Sequence, residues 1–271
     1  MSRKQTHFNQ SLARGLMILQ AFSAGKTTLT LTELSRITGM NRTAVQRFTD
    51  TLMTLGFLGR NRHKEFYLGP KVLSLGFSYL RGSELSTLAE SNLRDFSEKT
   101  GKTVNMAILD GTEIVFVFRN EVRKFLKYDL RPGSRLPSHC TASGKLLLAA
   151  LEDAELKARI DRMPLEKMTG RTITDKGELL ADIMTTRERG FSICNMELSP
   201  ALYSIGVPIL DHRETVVAAV NMSLSSEEND PEVLNRARDG VLDQGRMLSR
   251  MMGYTGKYPF ISAGPSKGGV S

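Results

Sequence analysis

Apolar residues recur every three or four positions in three stretches near the start of the chain, and this spacing predicts three amphipathic helices. They cover residues 11–22, about 32–38 and 41–55, with Asn41 as the expected N-cap of the third. Gly39 follows the second stretch, where helices commonly end in a left-handed residue. Two short helices joined by a turn with glycine favour a helix-turn-helix, with the first helix packed behind it.

The second helix is expected to begin at Thr32, because a threonine side chain can accept a hydrogen bond from the backbone of the first turn. Glu33 then places a negative charge near the positive end of the helix dipole. Leu31, Leu34 and Ile37 stand at helical spacing. We therefore expect these three residues to form one apolar stripe that faces the core.

A small β-hairpin is predicted directly after the third helix. Two short runs with apolar residues, 56–60 and 65–68, flank the polar turn 61–64, which is the pattern of a hairpin. A basic hairpin at this place indicates the wing of a winged helix-turn-helix, a device for entering a DNA groove. The alternative is an ordinary small α+β subdomain with a solvated basic loop.

The next stretch, residues 71–81, predicts a helix that is more apolar than a solvated linker should be. An exposed apolar helix needs a partner, and the simplest partner is a second copy of itself. We interpret residues 70–82 as a linker helix that helps the protein to dimerise. The alternative is that this helix packs on the first domain.

Beyond residue 83 the pattern mixes helices with strands. Helices are predicted at 85–99, 142–151, 153–161 and 231–252, and a further one runs to residue 189 from a cap at Thr174 or Asp175. Runs rich in β-formers and broken by turn residues predict six strands, at 103–109, 113–119, 124–130, 191–196, 204–210 and 215–223. Six strands with helices outside them indicate an α+β domain built on an antiparallel sheet.

A chain of 271 residues is long enough for two domains with cores of their own. The patterns divide it into a winged helix-turn-helix domain at 1–69, a linker helix at 70–82, a second domain at 83–255 and a tail at 256–271. We expect the tail to be disordered, because its end is rich in Gly, Ser and Pro.

Charge is distributed unevenly along the chain. Residues 1–82 hold twelve Lys/Arg and three Asp/Glu, a net charge of +9, whereas the other 189 residues hold 25 and 26, a net charge of −1. A basic excess confined to the predicted helix-turn-helix is typical of a nucleic-acid binder. The candidate DNA-binding residues are Arg42, Thr43, Gln46 and Arg47 for base edges, and Arg60, Arg62 and Lys64 for phosphates or the minor groove.

Composition disfavours several other classes of protein. No apolar run approaches the roughly 20 residues that a membrane-spanning helix needs, and the N-terminus lacks the apolar core of a signal peptide. Two cysteines and four scattered histidines give neither a disulfide framework nor metal-ligand spacing. We therefore expect a cytoplasmic protein that has no membrane partner, no metal and no cofactor.

Two motifs invite a catalytic interpretation. His139 beside Cys140 suggests a nucleophile, but no third group is placed to orient the pair. The Ser-Gly-Lys of residues 143–145 resembles the end of a phosphate loop. A phosphate loop needs Gly where His139 stands and Ser or Thr where Leu146 stands, so we reject that interpretation. An enzyme is not expected.

The predicted strand 215–223 carries two polar residues within apolar surroundings, Asn221 and Ser223. Side chains two positions apart lie on the same face of a strand. If that face points inward, the two could line a polar pocket, and if it points outward they are merely solvated. Periodicity alone does not choose between these alternatives.

Four motifs, in order, resemble the IclR family of bacterial transcription regulators. They are SLARGLMIL at 11–19, YLGPKVLSLG at 67–76, GSRLPSHCTASGK at 133–145 and IGVPILD at 205–211. The resemblance covers about residues 10–250. The first motif and the His-Cys-Thr sequence are most similar to the branch that regulates aromatic-acid breakdown through protocatechuate and β-ketoadipate.

The resemblance implies a winged-helix domain, a linker helix and a GAF-like domain for effector binding and oligomerisation. It also implies homodimers or tetramers on a pseudo-palindromic operator in double-stranded DNA, controlled by a small carboxylate. A helix N-terminus at 141–143 would suit that anion. Carried over by motif, the effector site would be lined by Phe125, Tyr128, Ala142, Ser143, Cys194, Leu202, Ser204, Asn221 and Ser223.

The sequence therefore predicts a DNA-binding transcription regulator of aromatic-acid catabolism. Three alternatives remain: a regulator of another carboxylate pathway, a regulator whose second domain only oligomerises, and an enzyme that uses His139 and Cys140. The sequence does not identify the effector or the operator, and it does not distinguish activation from repression.

Overall fold

Two compact units, Met1–Gly82 and Ser83–Ser271, divide the chain. Each has a hydrophobic core of its own, so two separate cores stabilise the protein. The computed structural model of the protein describes residues 8–22, 26–82, 84–124, 129–228 and 230–261.

Helices and a small sheet make up the described part of the first unit. In chain order they are α1 (Gln10–Gln20), β1 (Thr28–Leu29), α2 (Leu31–Thr38), α3 (Arg42–Thr54), β2 (Leu58–Arg60), β3 (Phe66–Leu68) and α4 (Lys71–Gly82). The sheet order is β1-β3-β2, and both pairings are antiparallel. The core residues are Ile18, Leu29, Leu34, Val45, Leu52, Leu58 and Phe66. The predicted winged helix-turn-helix is confirmed.

The N-cap of α2 is Thr30, so the predicted cap at Thr32 is wrong. Thr30 Oγ1 accepts a hydrogen bond from the Glu33 N–H at 3.3 Å, and the Glu33 carboxylate accepts one from the Thr30 N–H at 2.8 Å. This capping box needs threonine three residues before glutamate, and only Thr30 has that spacing. Ile37 is 46% exposed, so the predicted apolar stripe ends at Leu34.

A strand that the apolar pattern did not predict joins the wing. β1 pairs with β3, which places Thr28 opposite Tyr67 and Leu29 opposite Phe66. Two residues are too few for alternation to be visible in a sequence. The strand extends the predicted hairpin to three strands and connects the wing to the segment before α2.

Two helices of the first unit leave apolar side chains uncovered. On α1, Leu12 is 63% and Leu16 48% exposed, whereas Ile18 is fully buried. On α4, Leu73 is 63% and Leu75 59% exposed. The helix predicted as a linker therefore exists, and these two leucines do not pack on the first unit.

The second unit is an antiparallel sheet with helices on both faces. Its elements are α5 (Glu84–Thr100), β4 (Thr103–Asp110), β5 (Glu113–Asn120), β6 (Arg135–Pro137), α6 (Ala142–Ala149), α7 (Asp153–Arg162), α8 (Lys176–Arg189), β7 (Ser192–Asn195), β8 (Leu202–Leu210), β9 (Val216–Ser225) and α9 (Pro231–Met251). The strand order is β6-β5-β4-β9-β8-β7. The predicted α+β class is confirmed.

The helices pack in two layers, one on each face of the sheet. Alternate residues of one strand point to opposite faces, so a single strand contacts both layers. On β9, Met222 and Leu224 lie beside Phe96 of α5 and Ala237 of α9. The residues of β9 that alternate with these two face α6, which packs against β4, β8 and β9. No helix of the described residues is long and apolar enough to span a membrane.

The strand predicted at 124–130 is wrong in its described part. Residues 129–130 and residue 124 are not strand, and residues 125–128 lie outside the described ranges. The sixth strand of the sheet is β6, which pairs with β5. β6 has only three residues, and it follows a turn in which Gly133 has φ 90°. A strand this short shows no alternation that a sequence pattern could reveal.

The predicted disordered tail is wrong for residues 256–261, which pack on the second unit. The Tyr258 hydroxyl donates a hydrogen bond to the Pro208 carbonyl at 2.8 Å, and Ile261 is 6% exposed. Apolar and aromatic anchors therefore order this segment despite its polar neighbours. Residues 262–271 lie outside the described part of the chain.

Candidate functional site

Helix α3 presents one face to the core and the other to solvent. Gly39 ends α2 with φ 69°, and the Asn41 side chain caps α3 by accepting from a backbone N–H, so both predicted helix boundaries are confirmed. Val45, Thr49 and Leu52 are buried. This packing fixes which side of α3 faces outward.

The outward side carries the four residues predicted to contact base edges. Arg42, Thr43 and Arg47 are exposed. Gln46 is half-buried, and its amide donates to the Asp50 carboxylate at 2.6 Å. Three of the four side chains are therefore directly available to a groove, while Gln46 must leave Asp50 to reach a base.

The wing ends in a turn that Asn61 organises. The Asn61 Oδ1 accepts hydrogen bonds from the N–H groups of His63 at 2.9 Å and Glu65 at 3.0 Å. Lys64 has φ 61°, a left-handed conformation that a lysine rarely adopts. Arg62 and Lys64 are exposed. The turn holds a fixed backbone from which cationic side chains extend into solvent.

Arg60, the third cation of the wing, contacts the ring of Phe66 and the backbone of Lys64. Its guanidinium lies 5.3 Å from the centroid of the Phe66 ring, and its Nε donates to the Lys64 carbonyl at 3.4 Å. Such a cation–π contact leaves the edge of the guanidinium free for an anion. The fold therefore brings the three side chains predicted to contact phosphates or the minor groove together at the tip of the wing.

A cavity of ≈ 40 Å³ lies in the second unit between the sheet and the start of α6. Seven of the predicted effector residues line it: Ala142, Ser143, Cys194, Leu202, Ser204, Asn221 and Ser223. Nine lining residues were not predicted for it: Asn105, Ile114, Phe116, Arg119, Leu130, Leu136, Cys140, Thr141 and Leu198. The predicted Phe125 and Tyr128 lie outside the described residues.

A row of paired residues crosses five strands beneath the cavity. The pairing places side by side, in turn, Arg119, Asn105, Asn221, Gly206 and Ser192. Residues directly opposite each other on neighbouring strands point to the same face. Polar side chains from three separate strands therefore converge at one side of the cavity.

Arg119 belongs to this row because β5 contains a bulge. Phe116 and Phe118 pair with adjacent residues of β4, so Val117 is an extra residue in the ladder. One extra residue shifts the alternation of all residues that follow it. With regular alternation Phe118 would face the cavity and Arg119 the opposite side, which is why the sequence pattern could not find Arg119.

Two glycines let the start of α6 approach the sheet closely. A Cβ on Gly144 would lie 2.2 Å from the Ser138 carbonyl oxygen, and one on Gly206 would lie 3.0 Å from the Ala142 carbonyl carbon. Thr141 caps the helix, and its side chain accepts from the Gly144 N–H. The first N–H groups of a helix lack acceptors within it, so this end of the cavity offers hydrogen-bond donors to a ligand.

Buried hydrogen bonds connect α6 to the polar row. Ser143 Oγ donates to Asn221 Oδ1 at 3.0 Å, and the Asn221 amide donates to Ser223 Oγ at 3.4 Å. Cys194 Sγ donates to the Cys140 carbonyl at 3.0 Å. Asn221 and Ser223 are 7% and 5% exposed, so the alternative in which they face solvent is excluded.

Arg119 is a buried cation whose hydrogen bonds are incompletely satisfied. Its side chain is 8% exposed, and its guanidinium carbon lies 5.8 Å from the Phe116 ring centroid. Nη1 donates to Asn105 Oδ1 at 2.6 Å, and Nη2 forms an ion pair with Glu121. Nε is buried and has no hydrogen-bond partner in the described residues.

The His139 and Cys140 pair does not have the properties of a catalytic nucleophile. Burial raises the pKa of the Cys140 thiol to about 12, and burial lowers the pKa of His139. The attacking species is the thiolate, which a thiol of such a pKa hardly forms at neutral pH. Within the described ranges no cluster of His, Cys, Asp or Glu could hold a metal ion.

The lysine of the rejected phosphate-loop motif is engaged elsewhere. Lys145 is 1% exposed, and its Nζ lies 2.6 Å from Glu197 Oε1 and 2.8 Å from Asp182 Oδ2. A buried ammonium needs such partners to offset its loss of hydration. These two ion pairs join α6 to α8 and to the segment before β8, so they hold α6 in position at the wall of the cavity.

Comparison with known proteins places both units in one family. The chain matches the IclR helix-turn-helix domain over residues 11–62 and the bacterial transcriptional regulator IclR C-terminal domain over residues 77–250. The Pca regulon regulatory protein of Pseudomonas putida is 39% identical over 217 residues, which cover 80% of this chain and 74% of that protein. The p-hydroxybenzoate hydroxylase transcriptional activator of Acinetobacter baylyi is 32% identical over 228 residues, covering 82% and 84%.

A solved structure has the same fold. It is the crystal structure of an IclR homologue from Microbacterium hydrocarbonoxydans complexed with 4-hydroxybenzoate, which is 22% identical to this chain. The TM-score is 0.75, and the match covers 89% of this chain and all of that one. This likeness shows that the chain has a known fold.

Proposed function

Because the chain belongs to the IclR family and is therefore a DNA-binding transcription regulator, we propose that a small aromatic carboxylate in the cavity controls its affinity for a pseudo-palindromic operator. The operator binds the first unit and the acid binds the second. The protein acts in the cytoplasm, where the operator DNA and the acid are both present. Three observations support this assignment, one for each unit and one for the oligomer.

The first observation is the charge of the first unit. Its residues 1–82 carry a net charge of +9, and phosphate neutralisation supplies much of the affinity of such proteins for DNA. Exposed side chains of α3 (Arg42, Thr43 and Arg47) contact base edges, joined by Gln46 once it leaves Asp50. The turn of the wing supplies Arg60, Arg62 and Lys64 for phosphates or the minor groove.

The second observation, which carries the effector assignment, is the composition of the cavity wall. One part is polar and meets the start of α6, and another part is apolar, with Ile114, Phe116 and Leu202 among its members. A small acid with an apolar body presents the same two surfaces, and the wall opens to admit it, because the closed cavity holds only ≈ 40 Å³. The homologue that was crystallised with 4-hydroxybenzoate makes this acid the first one to test.

The third observation is the uncovered apolar surface of the first unit. Leu12 and Leu16 on α1, and Leu73 and Leu75 on α4, are each at least 48% exposed. Apolar surface of this kind is stabilised by association. Two copies of one reading head, which consists of α3 and the turn of the wing, match a pseudo-palindromic operator. We therefore assign the protein as a homodimer, or a tetramer built from dimers.

Effector control follows from linkage between the two sites. An acid can change operator affinity only if it binds the two conformations of the protein with different affinities. The proposed difference is the spacing of the two winged helices within the dimer, or the oligomeric state. Either one changes how well both reading heads fit adjacent half-sites.

The experiment is a gel shift on the DNA just upstream of the protein's own gene, at two salt concentrations, with and without 4-hydroxybenzoate or protocatechuate. We expect a specific shift that weakens with salt and changes with one acid. A shift that no acid alters contradicts the effector assignment and favours a second unit that only oligomerises. The absence of any specific shift on this DNA shows that the operator lies elsewhere, and a genome-wide binding selection then locates it.

A further inference from the structure

One cation stands among the residues that line the cavity. Of the described lining residues Arg119 alone is charged, and it is 8% exposed. Burying a guanidinium costs free energy unless every part of it is paired. Here Nε has no partner in the described residues, so the pairing that they provide is incomplete.

We propose that Arg119 is the residue that binds the carboxylate of the effector and makes the cavity selective for anions. The inference rests on the proposed function and deepens it, because it names the group that separates an acid from a neutral molecule of the same shape. Its basis is the geometry around the guanidinium.

The described neighbours of Arg119 leave the Nε–H of the guanidinium for a ligand. Asn105 accepts from Nη1 at 2.6 Å, and Glu121 pairs with Nη2. Both contacts hold the guanidinium in place. A carboxylate binds a guanidinium best through two parallel N–H···O hydrogen bonds. The Nε–H and one Nη–H provide such a pair, so the ligand takes up the unsatisfied Nε and shares or displaces Glu121.

Glu121 is the internal competitor in this arrangement. Its carboxylate satisfies part of Arg119 when no acid is bound, and its side chain is 29% exposed, so it can move into water. An entering acid replaces one carboxylate by another. The charge of the guanidinium is therefore compensated in both states, which lowers the cost of keeping it buried.

The bulge at Val117 is the structural reason that this cation is inside. It turns Arg119, and not Phe118, toward the cavity, while Phe116 just before the bulge supplies an aromatic face to the same space. An arginine next to an apolar wall holds the two ends of an amphipathic acid separately. The ring lies against Phe116 and its neighbours, and the carboxylate lies at Arg119.

The test compares each acid with its neutral amide. Full-length protein is titrated calorimetrically with 4-hydroxybenzoate and 4-hydroxybenzamide, and with protocatechuate and its amide. We expect the parent chain to prefer the acid by a factor on the order of 10–100, the range for hydrogen bonds to a charged group. In Arg119→Gln the preference should fall to within about threefold, whereas Arg119→Lys should keep part of it.

Arg135→Gln is the matched control. Arg135 lies on β6 of the same sheet, 42% exposed, and pairs with Asp110 and Glu113 at the surface. This variant removes the same charge without touching the cavity, so it should keep the full preference for the acid. Circular dichroism and the thermal midpoint show whether each variant is folded.

A second variant tests the proposal without altering Arg119. Glu121→Gln removes the competing carboxylate, so it should raise the affinity for the acid severalfold and leave that for the amide unchanged. An Arg119→Gln chain that still prefers the acid as the parent does overturns the role of Arg119 alone. So does a Glu121→Gln chain with unaltered acid affinity. A parent chain that binds no acid overturns the effector assignment itself, and with it this inference.

Discussion

The two units carry their chemistry in opposite ways. The first displays it: Arg42, Arg47 and Lys64 are exposed side chains on a helix and a turn whose backbones the core fixes. The second encloses it: Arg119 and Asn221 are buried and depend on strand pairing for their place. A surface that meets a polyanion tolerates small errors of placement, while a cavity that meets a small molecule does not.

This difference predicts where substitutions do the most damage. In the first unit a surface change alters binding but leaves the fold intact, because the side chain touches little else. In the second unit a change of one methyl group at the wall alters the packing of helix on sheet. Four experiments, in order of decreasing effect, test this contrast.

Gly144→Ala should give the largest effect. Its Cβ would lie 2.2 Å from the Ser138 carbonyl oxygen, a backbone atom that cannot yield. We expect the free energy of unfolding to fall by about 3 kcal/mol or more. Denaturant titration followed by circular dichroism measures it. Gly170→Ala is the control, since nothing lies within 4 Å of its Cβ. Equal stability of the two variants would refute the close approach of α6.

Arg47→Ala should alter DNA recognition without altering the fold. If Arg47 contacts a base edge, its removal costs about 1–3 kcal/mol of operator binding and relaxes the preference at one base pair. Lys64→Ala should instead weaken binding to all sequences alike and reduce the salt slope by about one. Fluorescence anisotropy with operator and scrambled DNA distinguishes the loss of sequence preference from the uniform loss of affinity. Parent-like binding by both variants would show that the reading head lies elsewhere.

Asn221→Asp should weaken binding of the acid to the second unit. The new carboxylate would stand where Asn221 now accepts from Ser143, and it would repel an anion in the same cavity. We expect at least about a tenfold loss of affinity for the acid and a smaller change for its amide. Asn195→Asp, at an exposed position on β7, is the control. Unchanged discrimination between acid and amide would argue that the acid does not bind in this cavity.

Thr30→Ala should have the smallest effect, a loss of about 1 kcal/mol from the stability of the first unit. Thr32→Ala, which removes the cap expected from the sequence, should change stability by less than about 0.5 kcal/mol. Both are read from denaturation midpoints of otherwise identical chains. The reverse order would restore Thr32 as the cap.

The contrast between the units also explains what the sequence could predict. The reading head follows from local rules: Gly39 and Asn41 mark helix ends, and the basic residues are visible as a charge excess. The prediction that Asn221 and Ser223 line the cavity rests on the family resemblance, since periodicity leaves open whether their face of the strand points inward or outward. Burial then placed both residues at the cavity.

Other features depend on contacts between distant segments, which no local pattern contains. Arg119 enters the cavity only because a bulge at Val117 shifts the pairing of β5 with β4. The three-residue strand β6 is too short to show alternation. The cap at Thr30 is different, because Thr30 and Thr32 both precede the apolar run and only the glutamate three residues after Thr30 distinguishes the two.

The central claim is that the acid site and the operator site are linked. Linkage is reciprocal, so operator DNA must change the affinity for the acid by the same factor by which the acid changes operator affinity. The measurement is a calorimetric titration of 4-hydroxybenzoate, or of whichever acid the gel shift identifies, into the protein with and without saturating operator. We expect two different dissociation constants, whose ratio equals the shift in operator affinity. The same acid affinity with and without operator would contradict this claim.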